Sequence, residues 1–485
     1  MDELAKRIKE RVADARSRLT IVRNADRFLS RPDTQNAVSR ECGILLLPIS
    51  SAIELRVRFE LTDKASEQNV CYVIDGDMEL LPDMQPYILD KGGINLPDLI
   101  PAYDVMEIKK ASLAWGMASD MFRRKYTYNL SPYQTSDEVR SVGELYDDSA
   151  SSMKEDLQKI RLEWDRVQTI EEISKVLLRA ISQNKYEELE PVLRQINDNF
   201  QQWLTAHYAA LASSSHIAKP KLVNRILPHI AYKHGAKEKV ALIVIDGMTY
   251  WQYLVLKKQI VQKGLQPIDD MTMAWIPTIT KLSRQAIFRG NTPSVSYQQN
   301  PTAEKRLWED FWTAPNRKSK RMSEYEVAYQ HGSLCIEDST AMRMAAVDVD
   351  LDEKMHASSN NTDLYLLTEN WAKNAAEDIA SIHDMGYTIY LTTDHGNLMS
   401  HAWRGLTSQE KTFLYKDGSR GQRHLIYNDA EHMNNFISAN RDEEKSWMTG
   451  KDWLVWKTDK CFKSADCITH GGSHFLEVVI PFIKI

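Results

Sequence analysis

Cysteine is scarce in this chain, five in 485 residues (positions 42, 71, 335, 461 and 467), and none forms a CxxC pair. An odd, scattered set of this kind argues against a disulfide framework and suits reduced, buried thiols in a cytoplasm. Long apolar runs are also missing. LLLPI (45–49) and VALIVI (240–245) are far too short to span a bilayer. The opening MDELAKRIKERVADARSRL is charged and has no apolar segment, so an ordinary secretory signal is not expected and no membrane role follows. There is little excess charge of either sign. Sixty-one basic residues stand against 67 acidic ones, net −6, which argues against a chain-wide nucleic-acid footprint. No repeat of 20–50 residues is visible. What remains is 43% hydrophobic and 26% charged, with a mean hydropathy of −0.45. That is a globular composition, long enough for two or three domains.

The pattern along the chain divides it in three. Leu4, Ile8, Val12, Ala15, Leu19 and Val22 recur at helical spacing and predict an opening amphipathic helix. GILLLPI (43–49), AIELRVRFEL (52–61) and NVCYVI (69–74) read as β-rich, giving an N-terminal α/β domain over 1–136. A phospho-receiver reading of this domain fails, because neither an acidic pair after the first strand nor a strand-end Asp followed later by Lys-Pro is present. From 137 to 236 helix formers carry apolar residues at three- and four-residue intervals, predicting a helical connector whose stripes are core rather than a partner site. From 237 to 485 strands and helices alternate. VALIVID precedes WQYLVLKKQIVQKG, and NWAKNAAEDIASIHDMG precedes YTIYLTTD, which predicts a doubly wound, mainly parallel sheet closed by EVVIPFIKI. Two basic runs, NRKSKR (316–321) and KDGSRGQRH (416–424), are solvated loops or nucleic-acid contacts.

Five short motifs follow one another in this last region. VALIVIDGM ends in Asp246, IPTITKLSRQAIFRG carries Thr278, Thr280 and Arg284, and DLDEKMH sets Asp352 four residues before His356. YTIYLTTDHGN then supplies Asp394 and His395, and ITHGGSHFLEVVIP supplies His470. Each alone has an ordinary explanation. An Asp before Gly at a strand end forms turns, Asp and His at i,i+4 make a surface pair, and a threonine hydroxyl can simply cap a helix. Asp348 and Asp350 compete with Asp352, but only Asp352 has the i+4 spacing to His356. In this order, carboxylates and imidazoles are the ligands of a catalytic metal centre with an open position. Two ions about 3.5–4 Å apart stabilise both the attacking and the leaving oxygen of an in-line displacement at phosphorus. Open parallel sheets bind ligands beyond the carboxyl ends of their strands, where Asp246 and Asp394 are expected.

The ordered set IDGM, PTIT…R.AIF.G, D…H, TTDHGN and HGG….E.VIP resembles the PglZ domain of the alkaline phosphatase superfamily, over roughly residues 239–485. FQQWLTAHYAALASS (200–214) is similar to the helical lead-in of PglZ proteins from BREX phage-defence islands. Carried over residue by residue, the resemblance implies an alkaline-phosphatase-like fold and two divalent metal ions, zinc foremost. Asp352, His356 and His470 would hold one, and Asp246, Asp394 and His395 the other, joined by Thr280. The family places its nucleophile at the second threonine of the P-T-x-T run, which selects Thr280 over Thr278. The implied reaction is attack by Thr280 on phosphorus, a phosphothreonine intermediate, and its hydrolysis. Arg284 is expected either on the phosphate or in a surface salt bridge. His474 stands where the family commonly has a small residue, which leaves its role open.

The resulting expectation is a cytoplasmic phosphodiesterase acting on a nucleotide or nucleic-acid phosphate ester, with other phage-defence proteins as partners. Tyr250 and Trp251 beside Asp246 would stack a base or pack in the helix core. A phosphomonoesterase or phosphomutase on the same core, or a structural defence subunit with structural metals, are the alternatives.

Overall fold

The computed structural model describes residues 2–14, 17–63, 68–74, 76–90, 93–145, 149–314, 322–336, 339–415 and 422–485. It divides into two units, Met1–Asp147 and Asp148–Ile485.

The N-terminal unit opens with the helix Glu3–Val12, whose first amides, of Leu4 and Ala5, donate to Asp2 at 2.8 and 3.1 Å. Leu4, Ile8 and Val12 form its buried face. The helix stops there, short of the predicted length. Leu19 and Val22 lie instead on β1 (Leu19–Arg23), where three consecutive β-branched residues, Thr20, Ile21 and Val22, favour extended backbone. β2 (Ile44–Ile49), β3 (Asn69–Ile74) and β4 (Ile88–Asp90) complete a parallel sheet of order β2-β3-β1-β4.

The segment 52–61, read as β-rich, is helical: Ala52–Arg58 runs on into a wider turn, Phe59–Asp63. Ser51 caps it by accepting from the Glu54 amide at 3.2 Å. Glu54 with Arg58, and Arg56 with Glu60, pair at i,i+4 spacing, each at 3.3 Å. These local terms outweigh the strand preference of its branched residues. The unit also continues past residue 136, because the helix Pro132–Leu145 packs on the helices Val105–Ala111 and Trp115–Arg123.

In the second unit the helices Val167–Ser182 and Tyr186–Ser213 share one core with the sheet that follows. Phe200 lies 6.5 Å from Phe475, ring to ring, and Gln201 donates to the Ser473 carbonyl at 2.6 Å. The stripes of this helical segment are therefore core, within the same unit as the sheet.

β5 (Val240–Ile245), β6 (Met271–Met273), β7 (Val327–His331), β8 (Arg343–Asp348) and β9 (Thr388–Thr393) belong to the large sheet. β10 (Leu398–Ala402), β11 (His424–Ile426), β12 (Trp447–Thr449), β13 (Trp453–Trp456), β14 (Lys460–Cys461) and β15 (Cys467–Thr469) form two small sheets. β16 (Val479–Lys484) returns to the large sheet, whose order is β6-β16-β9-β5-β8-β7. β7, β8, β5 and β9 pair in parallel, and β16 runs antiparallel to β9 and β6. Helices cover both faces, giving the mainly parallel, doubly wound α/β class that alternating elements require. Every residue of β5 is buried, and each of its Val, Leu and Ile side chains contributes roughly 1.5–3 kcal/mol. That anchorage fixes the strand ends. Ile245 pairs with Asp348 on one side and Thr393 on the other, so Asp246 and Asp394 leave neighbouring strands together. No helix among the described residues is long and apolar enough to cross a membrane.

Candidate metal centre

Asp246 follows β5, and Asp394 and His395 follow β9, all buried. Gly247, with φ +73°, turns the chain sharply and donates its amide to Asp394 Oδ1 at 3.1 Å. A β-carbon there would lie 3.0 Å from Asp352 Oδ1, so glycine lets the second carboxylate approach. Any side chain at Gly396 would collide with the Leu476 carbonyl, which explains the glycine of TDHGN. Thr280 is the first residue of the helix Thr280–Arg289. Its Oγ1 lies 3.1 Å from His395 Nε2 and 3.5 Å from Asp246 Oδ1. The Nδ1 of His395 faces the Gly396 carbonyl at 3.0 Å, which turns Nε2 inward.

Asp352 and His356 stand one turn apart on the helix Asp350–Ala357, with His356 Nε2 3.5 Å from Asp352 Oδ2. His470 Nε2 lies 4.0 Å from Asp352 Oδ1, and its Nδ1 is 2.9 Å from the Thr278 carbonyl. Asp348 is used elsewhere, accepting from the Asp350 amide at 2.9 Å and the Trp371 indole at 2.8 Å. Two groups result, Asp352/His356/His470 and Asp246/Asp394/His395, and within each the ligand atoms lie within 4.8 Å of one another. They adjoin through the His395 and His470 rings, stacked at 3.8 Å.

The electrostatics fit cations. Asp394 Oδ2 and Asp352 Oδ1 are buried without a hydrogen-bond donor among the described residues. Burial first, then the charge of Asp246, pushes the Asp352 carboxyl up to about 7 and Asp394 well above the usual carboxylate range. Burial, then His395, pushes His470 well below the usual imidazole value and keeps it neutral, the form that ligates metal. Crowded carboxylates and imidazoles are a donor set suited to zinc or a similar ion.

Residues 224–485 match the family described as the BREX system PglZ alkaline phosphatase-like domain. The chain belongs to this PglZ family. No curated protein matches it. Among solved structures it is similar to an inactive variant of murine ectonucleotide pyrophosphatase/phosphodiesterase 5 in complex with AMP. That likeness has 9% identity and a TM-score of 0.36, and covers 51% of this chain and 88% of that one. It is also similar to phosphonoacetate hydrolase from Sinorhizobium meliloti 1021 in complex with phosphonoformate. There the identity is 13% and the TM-score 0.33, with 51% and 90% covered.

The candidate ligands of the PglZ domain are braced by a layer that sequence reasoning missed. Arg423 and Glu477 form an ion pair at 3.0 Å with no exposure of either side chain. Glu477 accepts from the amides of Gly472 at 2.7 Å and His474 at 3.2 Å, which fixes the loop after His470. Thr278 braces the same loop, donating to the Gly472 carbonyl at 2.9 Å and accepting from the Gly471 amide at 3.1 Å. The glutamate was visible within the HGG….E motif. Arg423 instead sat inside a run read as solvated loop or nucleic-acid contact, and its burial excludes both for that residue. Residues 316–321 and 416–421 of the two basic runs lie outside the described residues.

His474 joins neither ligand group. It caps the short helix Phe475–Val478 by accepting from the Leu476 amide at 3.2 Å, and burial lowers it to about 3, so it is a neutral acceptor. Tyr250 and Trp251 are 1% and 3% exposed and pack in the core rather than stacking a substrate. Arg284 is buried rather than in a surface salt bridge, and its guanidinium meets Asp246 and Glu304. A third group, Glu190, His401 and Asp459, has metal-ligand spacing, but Arg194 already supplies a cation to it, 2.7 Å from Asp459 and 3.1 Å from Glu190. A cavity of about 560 Å³ opens beside the ligand groups, lined by Thr280, Lys281, Gln299, Gln422, His424 and His470 among others.

Proposed function

We propose that this PglZ protein is a two-metal phosphodiesterase that uses Thr280 as nucleophile and serves a BREX-type phage-defence system with other proteins of that system. Asp246, Asp394 and His395 would hold one ion together with Thr280, and Asp352, His356 and His470 the other. The observation that carries the reading is one hydroxyl in contact with the first ligand group, with the second group adjoining through the His395–His470 stack at 3.8 Å and lining the same cavity. Thr280 Oγ1 lies 3.1 Å from His395 Nε2 and 3.5 Å from Asp246 Oδ1, at a helix N-terminus. Two divalent ions bound there would neutralise the phosphate and lower the pKa of the threonine hydroxyl.

The chain's own residues supply the rest. The first amides of the helix Thr280–Arg289 point outward from its N-terminus, where backbone N–H groups favour a phosphate. In the first step Thr280 Oγ1 gives up its proton and bonds to phosphorus, and the ester oxygen leaves with its substituent, taking up a proton as the alcohol. In the second, water takes the phosphoryl group and restores the hydroxyl. The cavity of about 560 Å³ beside Thr280 leaves room for a second substituent, which favours a diester such as a nucleotide or nucleic-acid ester. Among the described residues Lys281 is a cation on its wall, and it lies 5.5 Å over the Tyr415 ring.

The test is kcat/KM for one activated leaving group presented as a phosphodiester and as its monoester. A higher value for the diester is expected. A clear monoester preference would replace this reading with a phosphatase or phosphomutase.

A further inference from the structure

The two oxygens of Asp246 face different surroundings. Oδ1 turns toward the ligand group, 3.5 Å from Thr280 Oγ1 and 3.6 Å from His395 Nε2. Oδ2 turns away and accepts from Arg284 Nη1 at 3.0 Å. The guanidinium is held from behind, its Nε 3.1 Å from Oε2 of Glu304. Glu304 lies on the helix Pro301–Thr313, has no exposure and belongs to neither ligand group. Its Oε1 accepts from the Tyr329 hydroxyl at 2.7 Å, and its Oε2 accepts from the side-chain Nε2 of Gln299. A buried carboxylate with those donors and one guanidinium is satisfied in place.

From this geometry we propose that Glu304 and Arg284 are a positioning pair that fixes Asp246 as a one-oxygen metal ligand. The inference rests on the two-ion reading above. An unrestrained carboxylate can rotate and offer either or both oxygens to an ion. Tying Oδ2 to a guanidinium removes that freedom and commits Oδ1. Arginine suits the task because its rigid fork spans two carboxylates at once, which a lysine ammonium does not reproduce. Glu304 contributes twice: it sets the direction of the fork, and its charge offsets a cation that would otherwise oppose an incoming metal. Nη1 of Arg284 is thereby engaged by Asp246, and Nε faces Glu304 as an ion pair without hydrogen-bond geometry, so the guanidinium is turned to carboxylates rather than to a phosphate.

The experiment is a Co2+ titration of chelator-stripped full-length protein, following visible absorption and counting bound ions by elemental analysis. Wild type should bind in two steps, and a His356→Ala background assigns the step that belongs to Asp246, Asp394 and His395. In Arg284→Lys and Glu304→Gln that step should weaken by roughly 10- to 100-fold, the usual effect of removing a partner behind a ligand. Its absorption band should change while the other step stays as in wild type. Tyr329→Phe removes only one hydrogen bond to Glu304 and should weaken the same step by roughly two- to tenfold, which keeps the test open if the charge variants fail to fold. Wild-type binding at both steps in all the variants would overturn the proposal, as would equal weakening of both. Unchanged ion uptake with lost turnover would also overturn it, placing Arg284 on the substrate. If wild type takes up no ions, the two-ion reading itself fails and takes this inference with it.

Discussion

Removing either partner of the Arg423–Glu477 pair should destabilise the second unit and disturb the His470 loop together. Both side chains are fully buried and 3.0 Å apart. Breaking a buried pair by removing one member leaves an uncompensated charge and costs about 3–5 kcal/mol. The unit spans Asp148–Ile485, for which an unfolding entropy of about 2.1 cal/mol/K per residue sums to roughly 0.7 kcal/mol/K. The expected fall in thermal midpoint is therefore roughly 4–7 °C for Arg423→Met or Glu477→Leu. The double variant Arg423→Met/Glu477→Leu should cost about as much as one single change, not the sum. It removes both charges and leaves only hydrogen-bonding groups unpaired, among them the Gly472 and His474 amides, the Lys460 carbonyl, and the Thr458 carbonyl that Arg423 reaches at 2.7 Å. Calorimetric melting of the four proteins completes the cycle, with ion counting to show whether the Asp352/His356/His470 group loses its metal. Single variants within 1 kcal/mol of wild type, or an additive double variant, would refute the reasoning.

The two threonines should separate function from structure. Thr280→Ala should abolish turnover with little change in thermal midpoint, whereas Thr278→Ala should keep measurable turnover and lose about 1–3 kcal/mol from its two loop hydrogen bonds; equal loss of activity in both would show the assignment to be wrong. His401 lies 3.0 Å from Glu190 through Nε2 and 3.0 Å from Asp466 through Nδ1. Although burial opposes it, these carboxylates raise its pKa above the usual 6.5. Stability from the charged ring is fully present below the unfolded value and is lost as pH rises through the folded one, so the thermal midpoint of wild type relative to His401→Asn should decline across that window. A flat difference between the two proteins would contradict the ion pairing.

The site was legible where its chemistry sits at strand ends. An apolar run that stops at an acid is a local pattern, and the parallel sheet turns two such stops into neighbours, Asp246 and Asp394. The D…H spacing of Asp352 and His356 needed only one helical turn. The supporting layer was hidden because its partners are distant in the chain. Arg423 looked like part of a solvated run, since nothing near it signals Glu477. The buried pairing of Arg284 was not legible because Glu304, on the next helix, was unremarkable by itself. Composition misled at 52–61, where Ile, Val and Phe favour a strand, although the i,i+4 pairs Glu54–Arg58 and Arg56–Glu60 were already visible in the sequence. Periodicity misled at Leu19 and Val22, whose helical spacing from Val12 is accidental once the chain enters β1.

The most direct measurement is the metal content of purified protein, set beside its hydrolysis of an activated phosphodiester before and after chelation. The account predicts up to two divalent ions per chain, loss of hydrolysis when they are removed, recovery when zinc is restored, and joint loss of metal and activity in Asp394→Ala. Full turnover by a rigorously metal-free sample would contradict it.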